Sequence, residues 1–330
     1  MKNALEVVEE KLSDLSRVKQ SGWALEFIEH QTPEICLVAV RNKGCALQYV
    51  REQTPEICMV AVQQDYRAFR YAKEQTPELC LLAVQNEGDY LQYVKNQTPE
   101  ICIAAVQKDG MSLAFVKEQT EEICLEAVQR NGYALQYVKK QTPEICLAAV
   151  RDVGFALEYV REQTEKICLA AVQKDCRAIR YVKEQTHAIC LAAVQRSGYA
   201  IELVKNQTRD LCLAAVKQNG LALEDVVTQT EEICLAAVQQ DGFALEFVKE
   251  QNRRICLAAV QQDGCALEFV EKQTPELCLE AVKQSWRALK YVKEQTEKLC
   301  FIAVQQNDCA FKYIKDKDLR KKLNKVLEEM

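Results

Sequence analysis

Apolar side chains recur along this chain in a block of fixed length. Ile57, Cys58, Ala61 and Val62 lie on one stripe at helical spacing, a shorter apolar group follows, and the block opens again at Leu79 and Cys80. The first group predicts an amphipathic helix A. The second, as in Ala134-Leu135-Gln136-Tyr137-Val138, predicts a second short helix B. A Gln-Thr pair precedes each A segment every 22 residues from Gln31 to Gln295, with Gln251-Asn252 as the one variant. A fixed period without insertions predicts an all-α fold, an α-solenoid in which short two-helix repeats stack into a superhelix.

Thr54-Pro55-Glu56-Ile57 reads as a helix start, with Thr as N-cap, proline at the first helical position and a carboxylate at the positive end of the dipole. All six prolines occupy that slot, and all ten glycines occupy another, twelve residues after the cap, where a left-handed helix end is expected. Helices of roughly ten and eight residues do not persist alone in water, so neighbours must hold them. Helix A carries the small residues (Cys36, Ala39) and helix B the larger ones (Leu47, Tyr49), so A helices are expected to approach more closely and to line the inside of a curve.

Three ladders could carry chemistry. Thirteen of the 17 cysteines, from Cys36 to Cys300, stand in one register, but there is no CxxC pair and the only histidines are His30 and His187. The expectation is buried, reduced thiols filling a tight contact, with no metal and no cofactor. The recurring glutamine is expected to satisfy backbone groups where helix ends abut. A basic row from Arg51 to Lys315 could follow phosphates, yet acidic residues such as Glu52, Glu74 and Glu118 usually come next, and the mixed signs argue against nucleic acid. The net charge of -5 and the absence of a long apolar run point away from a membrane, and a chain this long, with ample Leu, Ile, Val and Ala for a core, needs no disulfide framework, so its 17 cysteines are expected in a reducing, cytoplasmic compartment.

The departures from the repeat are the candidate binding residues. Tyr66, Cys176 and Trp286 replace the glycine at intervals of 110 residues, or five repeats, and Asp308 replaces it once more. Arg67 with Arg70, Arg177 with Arg180, and Arg287 with Lys290 follow, each pair expected to form a two-pronged cationic site. If the superhelix turns once in about five repeats, the three sites align on one side. Block duplication accounts for the same spacing. Separately, Val38, Val60 and Leu82 are expected to form an exposed apolar stripe flanked by Glu34, Glu56 and Glu78, a groove for a basic amphipathic segment.

The phrase ALQYVKKQTPEICLAAV (Ala134 to Val150) and its relatives from Ala24 to Lys315 resemble the repeats of domain of unknown function 4116, a helical-repeat family of giant viruses and protist-associated bacteria. The resemblance implies a solenoid and no assigned activity. The expected organisation is a capping helix and atypical first repeat over residues 1–32, thirteen repeats over 33–318 and an amphipathic closing helix over 319–330. With no nucleophile, phosphate loop or metal motif in view, the expected function is a non-catalytic scaffold binding a protein or peptide partner. An anion or nucleic-acid binder using the basic clusters is the alternative.

Overall fold

The computed structural model describes the backbone of residues 4–328 and the side chains of residues 11–326; Met1, Lys2, Asn3, Glu329 and Met330 lie outside the described residues. The chain forms an all-α solenoid in two compact units, Met1–Glu162 and Gln163–Met330. Within each unit the helices pack on the elements next to them in chain order.

Each repeat opens as its sequence predicts. Thr54 is extended, its hydroxyl accepts from Ile57 N, and the α-helix Pro55–Gln64 runs for ten residues. Asp65 stops it in an extended conformation while its own N–H closes the last turn on Ala61 O. Ile57, Cys58, Ala61 and Val62 are buried, and the same register is buried in every repeat.

Helix B is a 3-10 helix of six residues, as in Gly44–Tyr49, rather than an α-helix of about eight. The reason is in the sequence. Gly44, Leu47 and Val50 are all buried and stand three apart, whereas Gln48 and Arg51 face solvent. A period of three is the 3-10 period, and six residues suffice to reach the next corner.

The glycines also differ from expectation, because no glycine has a positive φ. Close approach explains them. A Cβ on Gly242 would sit 2.7 Å from the Ala259 carbonyl oxygen and 2.9 Å from Gln262 Oε1, both in the next repeat. The bare backbone lets Gly242 N donate to Gln262 Oε1 at 2.7 Å instead.

At the N-terminus a single α-helix, Ala4–Gln20, spans both the expected initial helix and the shortened first A segment. No Thr-Pro corner interrupts that stretch, so nothing stops the helix. The closing helix runs over Lys317–Glu328; Leu323 is buried, and Lys322 pairs with Glu297 at 2.8 Å.

Candidate functional site

The repeated polar side chains are occupied in building the stack. Gln53 Nε2 donates to Leu47 O at 3.1 Å and Tyr71 O at 3.0 Å, in the B helices before and after it. Its Oε1 accepts from Lys73 N at 2.9 Å and from the Cys58 thiol at 3.6 Å. One amide therefore closes four groups at a corner and ties two repeats together. The basic row serves the same corners. Lys73 Nζ donates to Arg51 O at 2.8 Å, Lys95 Nζ to Lys73 O at 2.9 Å and Lys117 Nζ to Lys95 O at 3.0 Å, each reaching back one repeat. The sequence shows this row, which there reads as a possible phosphate track or a solvated face of mixed sign; its role of tying successive corners together comes from the structure.

All thirteen ladder cysteines are buried and unpaired with one another. Burial pushes their thiols up from the ordinary value, as at Cys146 and Cys278. Eleven of them reach the corner glutamine, from Cys256 at 3.5 Å to Cys190 and Cys212 at 4.0 Å. They act as weak donors as well as small apolar groups.

The three basic clusters are unequal, which corrects the expectation of three equivalent two-pronged sites. In the first, Arg67 is bound to Asp65 by Nε at 2.9 Å and a terminal nitrogen at 2.9 Å. Arg70 rests 5.1 Å from the Tyr93 ring centroid and donates to its hydroxyl at 2.9 Å. In the second, Arg177 is bound to Asp175 in the same way, at 3.1 and 2.8 Å, while Arg180 is exposed. Hydrogen bonds from these arginines hold both carboxyls below the usual carboxylate range. Each aspartate also caps its own 3-10 helix, so short-range chelation wins over projection into solvent.

The third cluster has Ser285 where the others have aspartate. Arg287 lies 4.7 Å over the Trp286 ring, and Trp286 stacks on Tyr313 of the next repeat with centroids 5.9 Å apart and planes at 26°. Lys312 stands 4.8 Å from the Tyr313 centroid and 5.9 Å from that of Trp286; Lys290 stands 4.7 Å from the Tyr291 centroid.

Replacing glycine also loosens a junction. Within each unit, the A helices on either side of Tyr66 and of Trp286 pack less closely than those at the glycine junctions, while those around Cys176 pack as usual. The two large aromatic side chains loosen the junction and the small cysteine does not. Asn86, placed to accept from residue 66, donates to Leu82 O at 2.8 Å instead. At the Trp286 junction an open cleft of about 380 Å³ lies between successive corners, over Cys278, Leu279 and Leu299.

Val38, Val60 and Leu82 are half-buried and none is fully covered. Leu37, Met59 and Leu81 beside them are half-buried too, so the A helices carry an apolar row two residues wide. Glu34, Glu56 and Glu78 are exposed along it, with Glu34 paired to Lys11 at 2.8 Å. The same row forms the floor of a cavity of about 620 Å³ in the second unit, at Leu213, Leu235 and Ala236. Its rim carries Arg254, paired with Glu231 at 3.6 Å, and Arg209, paired with Glu232.

Residues 120–164, 208–251, 230–274 and 252–297 match the family described as Domain of unknown function (DUF4116). Comparison with curated proteins and with solved structures finds no match.

Proposed function

Since the matched repeats belong to the DUF4116 family, whose description assigns no activity, we propose from the surface itself that the chain is a non-catalytic scaffold. It binds a protein partner along the solvent-facing side of its A helices. The observation that carries this reading is the two-residue-wide apolar row, half-buried from Leu37 and Val38 to Leu81 and Leu82 and bordered by exposed glutamates. A folded monomer gains nothing from leaving such a row partly wet, whereas an amphipathic helix or strand can cover it. The glutamates favour a basic amphipathic segment. The polar ladders support the non-catalytic reading from the other side, because the recurring amides, cations and thiols are bound into the stack.

The experiment compares the full chain with a Val38→Asp, Val60→Asp, Leu82→Asp variant as bait in native lysate, scored by mass spectrometry. Both must melt cooperatively at similar temperatures. Proteins captured by the first and lost by the second support the reading; identical sets from both overturn it for this face.

A further inference from the structure

We propose that the C-terminal end of the second unit is a site for single-stranded nucleic acid, built around the stacked rings of Trp286 and Tyr313. This goes beyond the protein-binding face and does not depend on it.

The first argument is charge. The mixed-sign rows that disfavour nucleic acid describe the body of the array, but its end departs from them. Residues 286–325 contain eleven basic and five acidic side chains, a net charge of +6 in a chain whose total is -5. Charge segregated to this degree makes a local attractor for polyanions that the whole-chain value conceals.

The second argument is how the cations are held. Arg67 and Arg177 are each neutralised by a carboxylate within hydrogen-bond distance. Ser285 removes that carboxylate from the third cluster. Arg287 and Lys312 rest on Trp286 and Tyr313, and Lys290 rests on Tyr291. A ring orients a cation without cancelling its charge, so all three charges remain available to phosphate. Among the described residues no carboxylate forms an ion pair with Arg287, Lys290 or Lys312.

The third argument selects the polyanion. Trp286 and Tyr313 are half-exposed and nearly parallel. Flat rings beside unneutralised cations are what an unpaired base and its phosphate require, since every base has a π-face to stack and a duplex keeps its own faces covered. A carboxylate-rich peptide would use the charges and leave the rings idle.

Trp23 and Trp286 are the only tryptophans, which supplies the readout. In full-length Trp23→Phe protein, fluorescence reports on residue 286 alone. Titration with an oligothymidylate of about twelve nucleotides should quench it. Three phosphate contacts on a single strand predict affinity about 20-fold weaker at 200 mM than at 50 mM salt. By anisotropy of a labelled oligonucleotide, Arg287→Ala, Lys290→Ala, Lys312→Ala should abolish binding, and Trp286→Leu in the natural background should weaken it about tenfold. The charge variant alters exposed side chains, so it keeps the test valid if Trp286→Leu disturbs the junction. Absence of quenching at 50 mM salt overturns the proposal. So do equal affinities for duplex, heparin and oligothymidylate, which would reduce the patch to plain electrostatics, and binding to phosphatidylserine vesicles without binding to the oligonucleotide.

Discussion

The junction after Gly242 and the junction after Trp286 join the same kinds of helix by the same corner, yet one is closed and the other open. At Gly242 the backbone nitrogen reaches Gln262 of the next repeat at 2.7 Å. At Trp286 the equivalent amide, Gln306, turns away and donates to Val282 O at 2.7 Å and Lys283 O at 3.1 Å. The A helices there pack less closely. At the opposite, corner end of the junction, where the cleft lies, the amide ladder is unchanged. Gln295 still bridges Leu289 O and Tyr313 O, each at 2.9 Å, and accepts from Lys315 N at 2.9 Å. The bulky residue therefore wedges one edge of the stack while the amide ladder holds the other. The array can vary its geometry at single positions because those two edges are secured by different residues.

The strongest way to break the comparison is to exchange the two residues. Gly242→Val should destabilise the protein by about 2 to 4 kcal/mol, from overpacking against Ala259 O and loss of the bond to Gln262. Trp286→Gly should cost under about 1 kcal/mol, because closing the junction recovers packing and a hydrogen bond that offset the lost aromatic contacts. Urea denaturation of each variant is the measurement. Similar losses in both would mean that Trp286 is a packing element and not a wedge.

Much of this was legible beforehand. The period, the Thr-Pro start, the corner glutamine and the buried thiols follow from residue types whose local physics admits few alternatives. The 3-10 helix was legible in principle, from Gly44, Leu47 and Val50 at intervals of three, but a short apolar group at such spacing also suits an α-helix. The function of glycine was not legible, since a helix end and a close approach both select it. Nor was the inequality of the basic clusters. Arg67, Arg177 and Arg287 look alike until Asp65, Asp175 and Ser285, two residues earlier, are seen to decide whether the charge is kept.

A smaller effect separates the two edges. Gln251→Leu and Gln295→Leu each strip three groups of a bond: Phe269 O, Glu271 N and the Cys256 thiol in one case, Tyr313 O, Lys315 N and Leu289 O in the other. Each should cost about 2 to 3 kcal/mol. Only Gln295→Leu removes the main remaining tie across an open junction, so hydrogen exchange should show faster opening of residues after 297 in that variant alone. Equal exchange in the two would place the cohesion of the open junction elsewhere.

The thiols sharpen the same contrast. Cys256 donates to Gln251 at 3.5 Å, whereas among the described residues Cys80 and Cys300, which follow Tyr66 and Trp286, make no such bond. Below the ordinary thiol value of 9.0 the whole ladder should label slowly in the native protein, with Cys80 and Cys300 first. Burial raises these pKa values, so the folded state holds its thiol protons more tightly than the unfolded one. That contribution is complete below 9.0 and is lost as pH climbs through the raised folded values. Melting temperature should fall in that window, and fall less in a Cys102→Ala, Cys124→Ala, Cys146→Ala variant. An identical decline would assign it to other groups.

The smallest effect comes from a departure that touches only the surface. Val227 occupies a slot of the basic row, is 72% exposed and offers nothing to Lys205 O, while Lys249 in the next repeat still reaches back to Val227 O at 3.0 Å. Val227→Lys should restore the missing rung. The gain should be about 0.5 kcal/mol, because a solvent-exposed amine bonding a carbonyl exchanges one hydrogen bond for another and loses side-chain freedom. Unlike Trp286→Gly, it should leave exchange across the neighbouring junctions unaltered, since no backbone approach changes. A gain above about 2 kcal/mol, or slower exchange in the flanking A helices, would show that the basic row sets the spacing of the repeats and would move the wedge argument from the glycine edge to the corner.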